Sequence, residues 1–254
     1  MTTICKELVR SRFGQSAATY HHLAHIQQSI AIQLAERTIN YAPLHKILEI
    51  GCGTGFLTKD MMAIHQPHTY YLNDLSPSMI GQAALLLNAE NCRSVVLPGD
   101  AETISFPGEL DAIVSSSAIQ WFQQPALFLK KASEALHCKG VLAIATYGEK
   151  NFIEIKSLSN QGLYYPEADQ LKAMITPWFD LQIFEQQTVI QWFDSVSAVL
   201  NHMKQTGVNC LAQNPMSAGN LRRLMDEYSK QHANRDGQIP LTWHPIIVVA
   251  TKKQ

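Results

Sequence analysis

The strongest chemical signal in the sequence is a glycine loop, Leu48-Glu49-Ile50-Gly51-Cys52-Gly53-Thr54-Gly55, which joins an apolar run to a helical stretch. Glycines at alternate positions allow a tight turn and close approach of the backbone to a ligand, and amides at a helix N-terminus hold polar ligand groups. The dinucleotide-binding version of this loop needs a small residue at its sixth position, where this sequence has Phe56. The spacing therefore disfavours a dinucleotide.

Two acids follow the glycine loop at the ends of the next predicted strands. Asp74 lies 19 residues after Gly55, and Asp100 ends the third strand. An acid at the first distance hydrogen-bonds ribose hydroxyls in nucleotide sites, and an acid one strand further could accept from an adenine amino group. Each acid alone is equally well explained as a strand-end or capping residue. Because the three strand ends share one edge of an open α/β sheet, together they favour a ligand that contains a nucleoside.

Alternating apolar runs and helical stretches must position these residues. Five short apolar runs predict buried parallel strands: Lys46–Ile50, Thr69–Leu72, Ser94–Leu97, Asp111–Ser115 and Val141–Ala145. Three stretches between them predict crossover helices: Phe56–Ile64, Pro77–Ala89 and Ala126–Leu136. Ser76 and Pro77 give the second helix a capped start. The pattern predicts an α/β fold built on a mostly parallel, Rossmann-like sheet.

Helical patterns also flank this core. The predicted elements are helices at Cys5–Tyr20 and Leu23–Ile39, a helical crossover at Asn151–Phe179 broken by Pro166 and Pro177, one extended strand at Leu181–Phe193, helices at Val196–Met203 and Leu221–His232, and a last strand at Ile246–Ala250. Some fifty residues between the last two strands are too many for a hairpin loop, so they predict a subdomain over one end of the sheet. The expected division is an N-terminal helical cover (1–40), a core (41–194), a helical lid insertion (195–240) and the last strand of the core (241–254).

Composition narrows the function classes. The 254 residues contain 20 Lys and Arg against 21 Asp and Glu, for a net charge of -1, which disfavours a broad nucleic-acid surface. The longest apolar run, Ile246–Ala250, is too short to cross a bilayer, and residues 1–14 contain no secretory signal. Five scattered cysteines favour free thiols in a reducing cytoplasm. We therefore expect a cytoplasmic protein without a nucleic-acid or membrane partner and, because His21 and His25 lack a neighbouring acid or cysteine, without a metal site.

Three segments together resemble the first three motifs of class I S-adenosylmethionine-dependent methyltransferases: Leu48–Gly55, Asn73-Asp74-Leu75-Ser76 and Gly99-Asp100-Ala101-Glu102. The resemblance implies a seven-stranded sheet with S-adenosylmethionine as methyl donor and S-adenosylhomocysteine as product. It implies that Gly51 and Gly53 line the methionine part, that Asp74 holds the ribose, and that Asp100 with Ala101 meets the adenine. The residues expected at the cofactor are Tyr20, Gly51, Cys52, Gly53, Asp74, Leu75, Met79, Asp100, Ala101 and Ser116, although core packing explains Met79 equally well.

A narrower resemblance uses the rest of the chain. Phe13–Tyr20, Ala118–Trp121, Met203–Gly207 and Pro240–His244 resemble, in the family's order, the malonyl-[acyl-carrier protein] O-methyltransferases of biotin synthesis. This resemblance implies methylation of the free carboxylate of a malonyl thioester on acyl-carrier protein, an early step of biotin (pimeloyl) synthesis. The implied partner is the carrier protein with malonyl-phosphopantetheine attached. The chain departs from the family at Trp243, where Tyr is common, and at Gln205, where a glycine is frequent.

The expected acceptor decides which catalytic groups are needed. A free carboxylate has a pKa of about 3.9 and is ionised at neutral pH, so we expect no general base. Gln120, Trp121 and His244 are expected to orient the carboxylate, although the first two could instead be core and capping residues. Lys204 and Arg223 are expected to meet the phosphopantetheine phosphate or the acidic carrier, with solvated helix surface as the alternative.

Three further questions stay open at the level of sequence. The segment through Tyr20, with its aromatic Phe13 beside small residues, is expected to close over the cofactor as a gate, and a helix simply packed on the core is the alternative. The acceptor could be a free small acid such as aconitate. The chain could also be a non-catalytic module that binds the cofactor and a protein partner.

Overall fold

The computed structural model describes residues 4–87, 92–159, 163–208 and 216–254. Helices and strands follow in the order α1 (Lys6–Leu23), α2 (His25–Arg37), β1 (Lys46–Ile50), α3 (Phe56–His65), β2 (Thr69–Asp74), α4 (Pro77–Leu87), β3 (Arg93–Pro98), β4 (Leu110–Ser116), α5 (Pro125–Ala135), β5 (Leu136–Tyr147), α6 (Ile153–Leu158), α7 (Ala168–Ile175), β6 (Phe179–Gln186), β7 (Val189–Phe193), α8 (Val196–Gln205), α9 (Ala218–His232), β8 (Ile239–Trp243) and β9 (Pro245–Lys252). Short 3₁₀ turns lie at Ile39–Tyr41 and Ile119–Trp121. The predicted helix Pro77–Ala89 is confirmed through Leu87, and Ala89 lies outside the described residues.

Seven strands form one sheet in the order β3-β2-β1-β4-β5-β9-β6. The first five are parallel, and β9 runs antiparallel to both β5 and β6. The predicted α/β class and mostly parallel seven-stranded sheet are therefore confirmed. In the sheet, β1 lies between β2 and β4, so the strand order reverses direction at β1. The carboxyl ends of β1 and β4 are therefore the topological switch point, where ligands bind in open α/β sheets.

Residues of opposite parity on the central strands supply two separate cores. Ile47, Ala112 and Val114 pack with α2, α3 and α4 on one face. Leu48 and Ile113 pack with α5 and α7 on the other face. Each buried aliphatic side chain contributes about 1.5–3 kcal/mol, which explains why these strands read as nearly continuous apolar runs. The rigid sheet fixes the positions of the loops at its carboxyl edge.

The single strand predicted at Leu181–Phe193 is wrong. The chain forms β6, which pairs with β9 in the main sheet, and then β7, which pairs with β8 in a separate two-stranded sheet. The change of partner falls at Gln187, whose backbone amide donates to Pro245 O at 3.1 Å and whose side chain donates to Gln33 Oε1 at 2.7 Å. The residue types favour extended backbone throughout this region, so the sequence pattern gave no sign that the strand ends at Gln186 and a second one begins at Val189. The expected boundary at residue 240 likewise falls inside β8, because the subdomain contains two strands in addition to α8 and α9.

The first helix and the subdomain contact each other above the sheet. The helices predicted before β1 are confirmed as α1 and α2. Thr19 Oγ1 donates to Gln205 O at 3.0 Å, and Ser16 Oγ donates to Lys204 O at 3.4 Å. A Cβ atom added at Gly207 would lie 3.0 Å from the Phe13 ring, so a glycine lets the two elements approach closely. We call α1 the cover and residues 189–243 the lid.

The described residues contain neither a membrane-spanning helix nor a cluster of metal ligands. No helix among them is long and apolar enough to cross a membrane. Within the same residues, no group of three His, Cys, Asp or Glu side chains is arranged to hold a metal ion. Cys5, Cys52 and Cys138 carry free thiols, and Cys210 lies outside the described part of the chain.

Candidate active site

The glycine loop between β1 and α3 depends on glycine at several positions. Gly51, Gly53 and Gly55 have φ angles of 67°, 53° and 91°, in the left-handed region that side chains disfavour. A Cβ atom at Gly51 would lie 2.3 Å from the Cβ of Ala118, and one at Gly55 would lie 3.2 Å from the Cα of Ala83. No atom lies within 4 Å of a Cβ position at Gly53. The loop is therefore packed at its two ends and open at its centre.

Asp74 ties the glycine loop to the end of β2. Its Oδ2 accepts from the Gly53 amide at 3.0 Å, and its Oδ1 accepts from the Ser76 amide at 2.8 Å. Burial raises the pKa of this carboxyl, and the backbone donors from Ser76 and Gly53 oppose that rise. Asp74 is thus a structural acceptor for the loop in addition to being the predicted ribose partner.

The end of β3 is held in place by side chains from two directions. Asn73 Nδ2 donates to Leu97 O at 2.7 Å and to Gly99 O at 3.0 Å. From the cover, Lys6 Nζ lies 3.2 Å from Asp100 Oδ1 and 2.6 Å from Glu102 Oε2. The predicted adenine end of the site is therefore closed by a cation that belongs to α1.

Two adjoining cavities lie at the carboxyl edge of the sheet. The main cavity is lined by Lys6, Val9, Arg10, Phe13, Tyr20, Ile50, Gly51, Gly53, Asn73, Asp74, Leu75, Met79, Gly99, Asp100, Ala101, Ser116, Ser117, Ala118, Trp121 and Phe122. The side cavity is lined by Tyr20, Gln27, Ala31, Glu49, Gly51, Cys52, Gly53, Thr54, Phe56, Leu57, Ser116 and Ser117. The two share Tyr20, Gly51, Gly53, Ser116 and Ser117. Polar groups at the strand ends and apolar walls between them suit a ligand with charged ends and a flat aromatic part.

Aromatic rings from the cover close the main cavity. The Phe13 ring packs edge-on against Trp121 at 5.6 Å between centroids and against Tyr20 at 6.1 Å. Tyr20 in turn stacks on Phe56 at 5.8 Å. Burial raises the pKa of Tyr20, so its phenol is neutral at physiological pH. This arrangement places three aromatic rings in contact beside the glycine loop, which suits the predicted gate over a reactive cofactor.

All ten residues predicted at the cofactor border these cavities. Nine line the main cavity and Cys52 lines the side cavity. Their contacts with a cofactor stay a prediction. Among the three residues predicted to position the acceptor, Trp121 lines the main cavity, whereas Gln120 and His244 are absent from both linings.

Gln120 and Trp121 lie in the 3₁₀ turn that follows β4. Gln120 Nε2 donates to Ser117 O at 2.7 Å and fixes the turn. Its Oε1 is buried, as is Trp121 Nε1, and neither has a hydrogen-bond partner in the described part of the chain. Because a buried unpaired indole N–H is costly, a hydrogen bond from Trp121 to a group bound in the main cavity would be favourable.

His244 lies between β8 and β9, outside the lining of both cavities. Its backbone amide donates to Asn151 Oδ1 at 3.1 Å, and its Nδ1 accepts from the Lys150 amide at 3.3 Å. A Cβ atom at Gly148 would lie 2.6 Å from that Nδ1, so the imidazole is packed against the chain after β5. Burial lowers its pKa. These contacts hold His244 against the loop at 148–151, and its predicted role at the acceptor stays a prediction.

The two predicted carrier-binding cations lie on separate lid helices. Lys204 belongs to α8 and Arg223 belongs to α9, and both are exposed. The Lys204 carbonyl also meets the cover through Ser16. Trp243, the departure noted above, is buried, and its Nε1 donates to Gln191 Oε1 at 3.2 Å.

Sequence reasoning missed several residues that the structure brings to the site. Lys6 and Gln27 belong to α1 and α2, outside the motifs, and Ser117 follows the predicted Ser116. A signal was available for α1: Lys6, Val9 and Phe13 recur at spacings of three and four, which places them on one helix face. No comparable signal distinguishes Gln27 from its neighbour Gln28.

A family model described as a methyltransferase domain matches residues 48–144. The chain is 35% identical to the malonyl-[acyl-carrier protein] O-methyltransferase of Bacteroides thetaiotaomicron, over 98% of this chain and 99% of that protein. It is 36% identical to the one of Acinetobacter baylyi, over 97% of both. A third relative with the same name, from Bacteroides fragilis, is 33% identical, and there the chain spans about half of the relative's length (51%).

Solved structures with low sequence identity support the fold. The YcgJ protein of Bacillus subtilis superposes with a TM-score of 0.65 at 16% identity, over 91% of this chain and 99% of that one. The N-methyltransferase NodS of Bradyrhizobium japonicum, solved with S-adenosylhomocysteine, gives 0.55 at 13% identity, over 88% of this chain and 86% of that one.

Proposed function

Because this chain belongs to the malonyl-[acyl-carrier protein] O-methyltransferase family, we propose that it methylates the free carboxylate of a malonyl thioester held on acyl-carrier protein by phosphopantetheine. A place early in biotin synthesis and a cytoplasmic location belong to the same proposal. The observation that carries it is a cavity at the switch point whose described acids are all engaged by backbone amides or cations, in a chain whose lid has exposed cations.

The chain contains a methyltransferase domain, and S-adenosylmethionine is its methyl donor. The residues present fit that molecule. Ser116 Oγ is buried and lacks a described partner, and the centre of the glycine loop is open at Gly53. Asp74 and Asp100 stand at successive strand ends, and Met79 with Ala101 provides apolar wall. When bound, the cofactor supplies an electrophilic methyl group carried by a sulfonium.

The acids of the main cavity are unsuited to act as a general base. Asp74 accepts from two backbone amides, and Asp100 accepts from the Glu102 amide and lies against Lys6. A malonyl carboxylate has no need of a base, because it is ionised at neutral pH. The chain therefore has to hold the carboxylate in line and to exclude water, and positioning should supply most of the rate.

Neutral donors are the right partners for such a nucleophile, because a strong ion pair would lower its reactivity. The Trp121 indole N–H is buried without a described partner on the wall of the main cavity. Ser117 lines the same cavity, and its hydroxyl lies 2.9 Å from the Tyr147 hydroxyl. We propose that Trp121 donates to the acceptor from the wall of the main cavity, and that Gln120 and His244, which lie outside its lining, help to orient the acceptor through the loops that they hold.

Charge on the lid is suited to the carrier. Lys204 and Arg223 are exposed on α8 and α9 of the lid, where we propose that the phosphopantetheine phosphate or an acidic carrier approaches. Exposed charges act mainly on encounter rate and KM, and salt screens them.

The deciding experiment is labelled methyl transfer from S-adenosylmethionine to a panel of acceptors: malonyl-carrier, acetyl-carrier, malonyl-CoA, free malonate and aconitate. We expect ester formation only where a carboxylate is free, with malonyl-carrier the best substrate. Preference for a free acid over every thioester would favour a small-acid methyltransferase. Cofactor binding with no transfer to any acceptor would favour a non-catalytic module.

A further inference from the structure

The side cavity contains a buried glutamine with no described partner. Gln27, on α2, is 3% exposed, and neither its Oε1 nor its Nε2 has a hydrogen-bond partner within the described residues. Buried polar atoms are almost always paired, and an unpaired carboxamide is costly to bury. Gln27 lines the cavity together with the glycine loop, which places its unpaired carboxamide beside a ligand bound there.

The other polar groups of the side cavity are also incompletely paired. Glu49 accepts from Thr58 Oγ1 and from Tyr70 OH, both at 2.7 Å, and both bonds fall on Oε2. Its Oε1 carries neither bond. Ser116 Oγ, shared with the main cavity, is buried without a described partner. The cavity therefore offers several acceptors and a donor amide within a small volume behind the glycine loop.

We propose that Gln27 is a positioning residue for the amino-acid end of S-adenosylmethionine, with its Oε1 accepting from the α-ammonium and its Nε2 donating to the α-carboxylate. A zwitterion needs an acceptor and a donor side by side, and a carboxamide provides both. Glu49 Oε1, which takes part in neither of the bonds above, is a second acceptor for the ammonium, and Ser116 completes the set. The proposal rests on the proposed function only through its cofactor and is independent of the acceptor.

The position of the side cavity favours this ligand over the acceptor carboxylate. It is enclosed by the glycine loop, by α2 through Gln27 and Ala31, and by α3 through Phe56 and Leu57. It opens to the main cavity through Gly51, Gly53 and Ser116, the residues expected beside the methionine part. An acceptor tethered to a carrier has to enter from the lid side, where these walls do not lie.

The test compares two ligands in the substitution Gln27→Met, which keeps the length of the side chain and removes both polar atoms. Isothermal titration with S-adenosylhomocysteine should show affinity reduced about 10- to 100-fold, as expected for losing hydrogen bonds to charged groups. Titration with 5′-methylthioadenosine, which lacks the amino-acid end, should show unchanged affinity. Gln28→Met, at an exposed position one residue along the same helix, is the matched control and should leave both affinities unchanged.

A second readout separates positioning from a structural role. Removing two unpaired buried polar atoms should leave the thermal midpoint of the ligand-free protein unchanged or raise it by a few degrees. A glutamine that mattered only for packing would give the opposite result, a lower midpoint with equal loss of both ligands.

Three outcomes would overturn the assignment: equal loss of both ligands, no loss of S-adenosylhomocysteine, or a lower midpoint that accounts for the weaker binding. The failure of the proposed function is distinguishable, because it would appear in the wild-type protein. If the wild type binds neither ligand, the cofactor itself is wrong. If it binds both and fails in the acceptor panel, only the reaction is wrong, and the result for Gln27 stands.

Discussion

The bridge from Lys6 to Asp100 and Glu102 predicts how firmly the cover is closed. The substitution Lys6→Met removes the cation and keeps the methylenes that pack beside the Phe122 ring, whose centroid lies 4.9 Å from Nζ. It leaves two carboxylates facing each other at the predicted adenine end. If the bridge holds α1 in place, the substitution should loosen α1 without disturbing the sheet.

The magnitude follows from the burial of the three groups. Their side chains are 16%, 22% and 13% exposed for Lys6, Asp100 and Glu102. Fully exposed pairs contribute about 0–1 kcal/mol, and breaking a fully buried pair costs about 3–5 kcal/mol. A partly buried bridge of two contacts lies between these limits, at about 2 kcal/mol. That energy corresponds to an opening of the cover that is about 30-fold more frequent.

Hydrogen exchange followed by mass spectrometry measures this opening directly. Amides of α1 in the Lys6→Met variant should exchange about 30-fold faster, amides of β4 should not change, and S-adenosylhomocysteine should slow exchange in α1 of the wild type. Lys130→Met is the control, because its pair with Glu134 is exposed and should contribute little. If the amides of α1 exchange at the same rate in the variant and the wild type, the ion pairs of Lys6 do not hold α1 in place. Faster exchange everywhere would indicate global destabilisation instead.

Three further results are expected. Asp74→Asn removes the charge of the predicted ribose partner and replaces one of the two oxygens that accept from the Gly53 and Ser76 amides by an NH₂ donor, so calorimetry should show S-adenosylhomocysteine affinity weaker by about 1.5–3 kcal/mol, and an unchanged value would contradict the assignment. Arg223→Glu should raise KM for malonyl-carrier, less so at high salt, with cofactor affinity unchanged; if Lys230→Glu, also exposed on α9, raised KM equally, only net charge would matter. Burial raises the pKa of Glu49 from 4.5 to about 7, so its contribution to stability is present below pH 4.5 and is lost as pH rises through 7. Relative to Glu49→Gln, the wild type should therefore lose about 3 kcal/mol in chemical unfolding between low and neutral pH, whereas parallel curves would refute the shift.

The sheet edge was predictable because its signals are local. The loop from Gly51 to Gly55 needs left-handed backbone, and Asp74 and Asp100 end buried strands, so residue type alone reports their positions. Contacts between distant segments were not predictable in this way. Asp100, which pairs with Lys6, lies 94 residues further along the chain, and no pattern in the sequence around Lys6 indicates this pairing.

The same limit explains why one strand was predicted where the chain forms β6 and β7, and why Gln27 was not predicted as a site residue. Whether Leu181–Phe193 is one strand or two depends on which neighbours pair with it, and β8 and β9 come some fifty residues later in the chain. Gln27 and Gln28 are identical in type and adjacent in sequence, and only the turn of α2 buries one and exposes the other. Function at such positions is a property of burial, which hydrophobic periodicity reports only for apolar side chains.

The cover connects the two halves of the expected reaction. As a helix of 18 residues, α1 is about 27 Å long, enough to run the full width of the main cavity. Near its start, Lys6 meets the predicted adenine end, and towards its end, Ser16 and Thr19 bond the last residues of α8 on the lid. Loss of either set leaves the helix held by the other set and by α4, where Gln82 Nε2 donates to Ala17 O at 3.4 Å. In the proposed reaction, the same helix would therefore cover the sulfonium at the cofactor site and contact the lid on the side of the tethered carboxylate. Substitutions at Lys6 should affect the lid as well as cofactor binding.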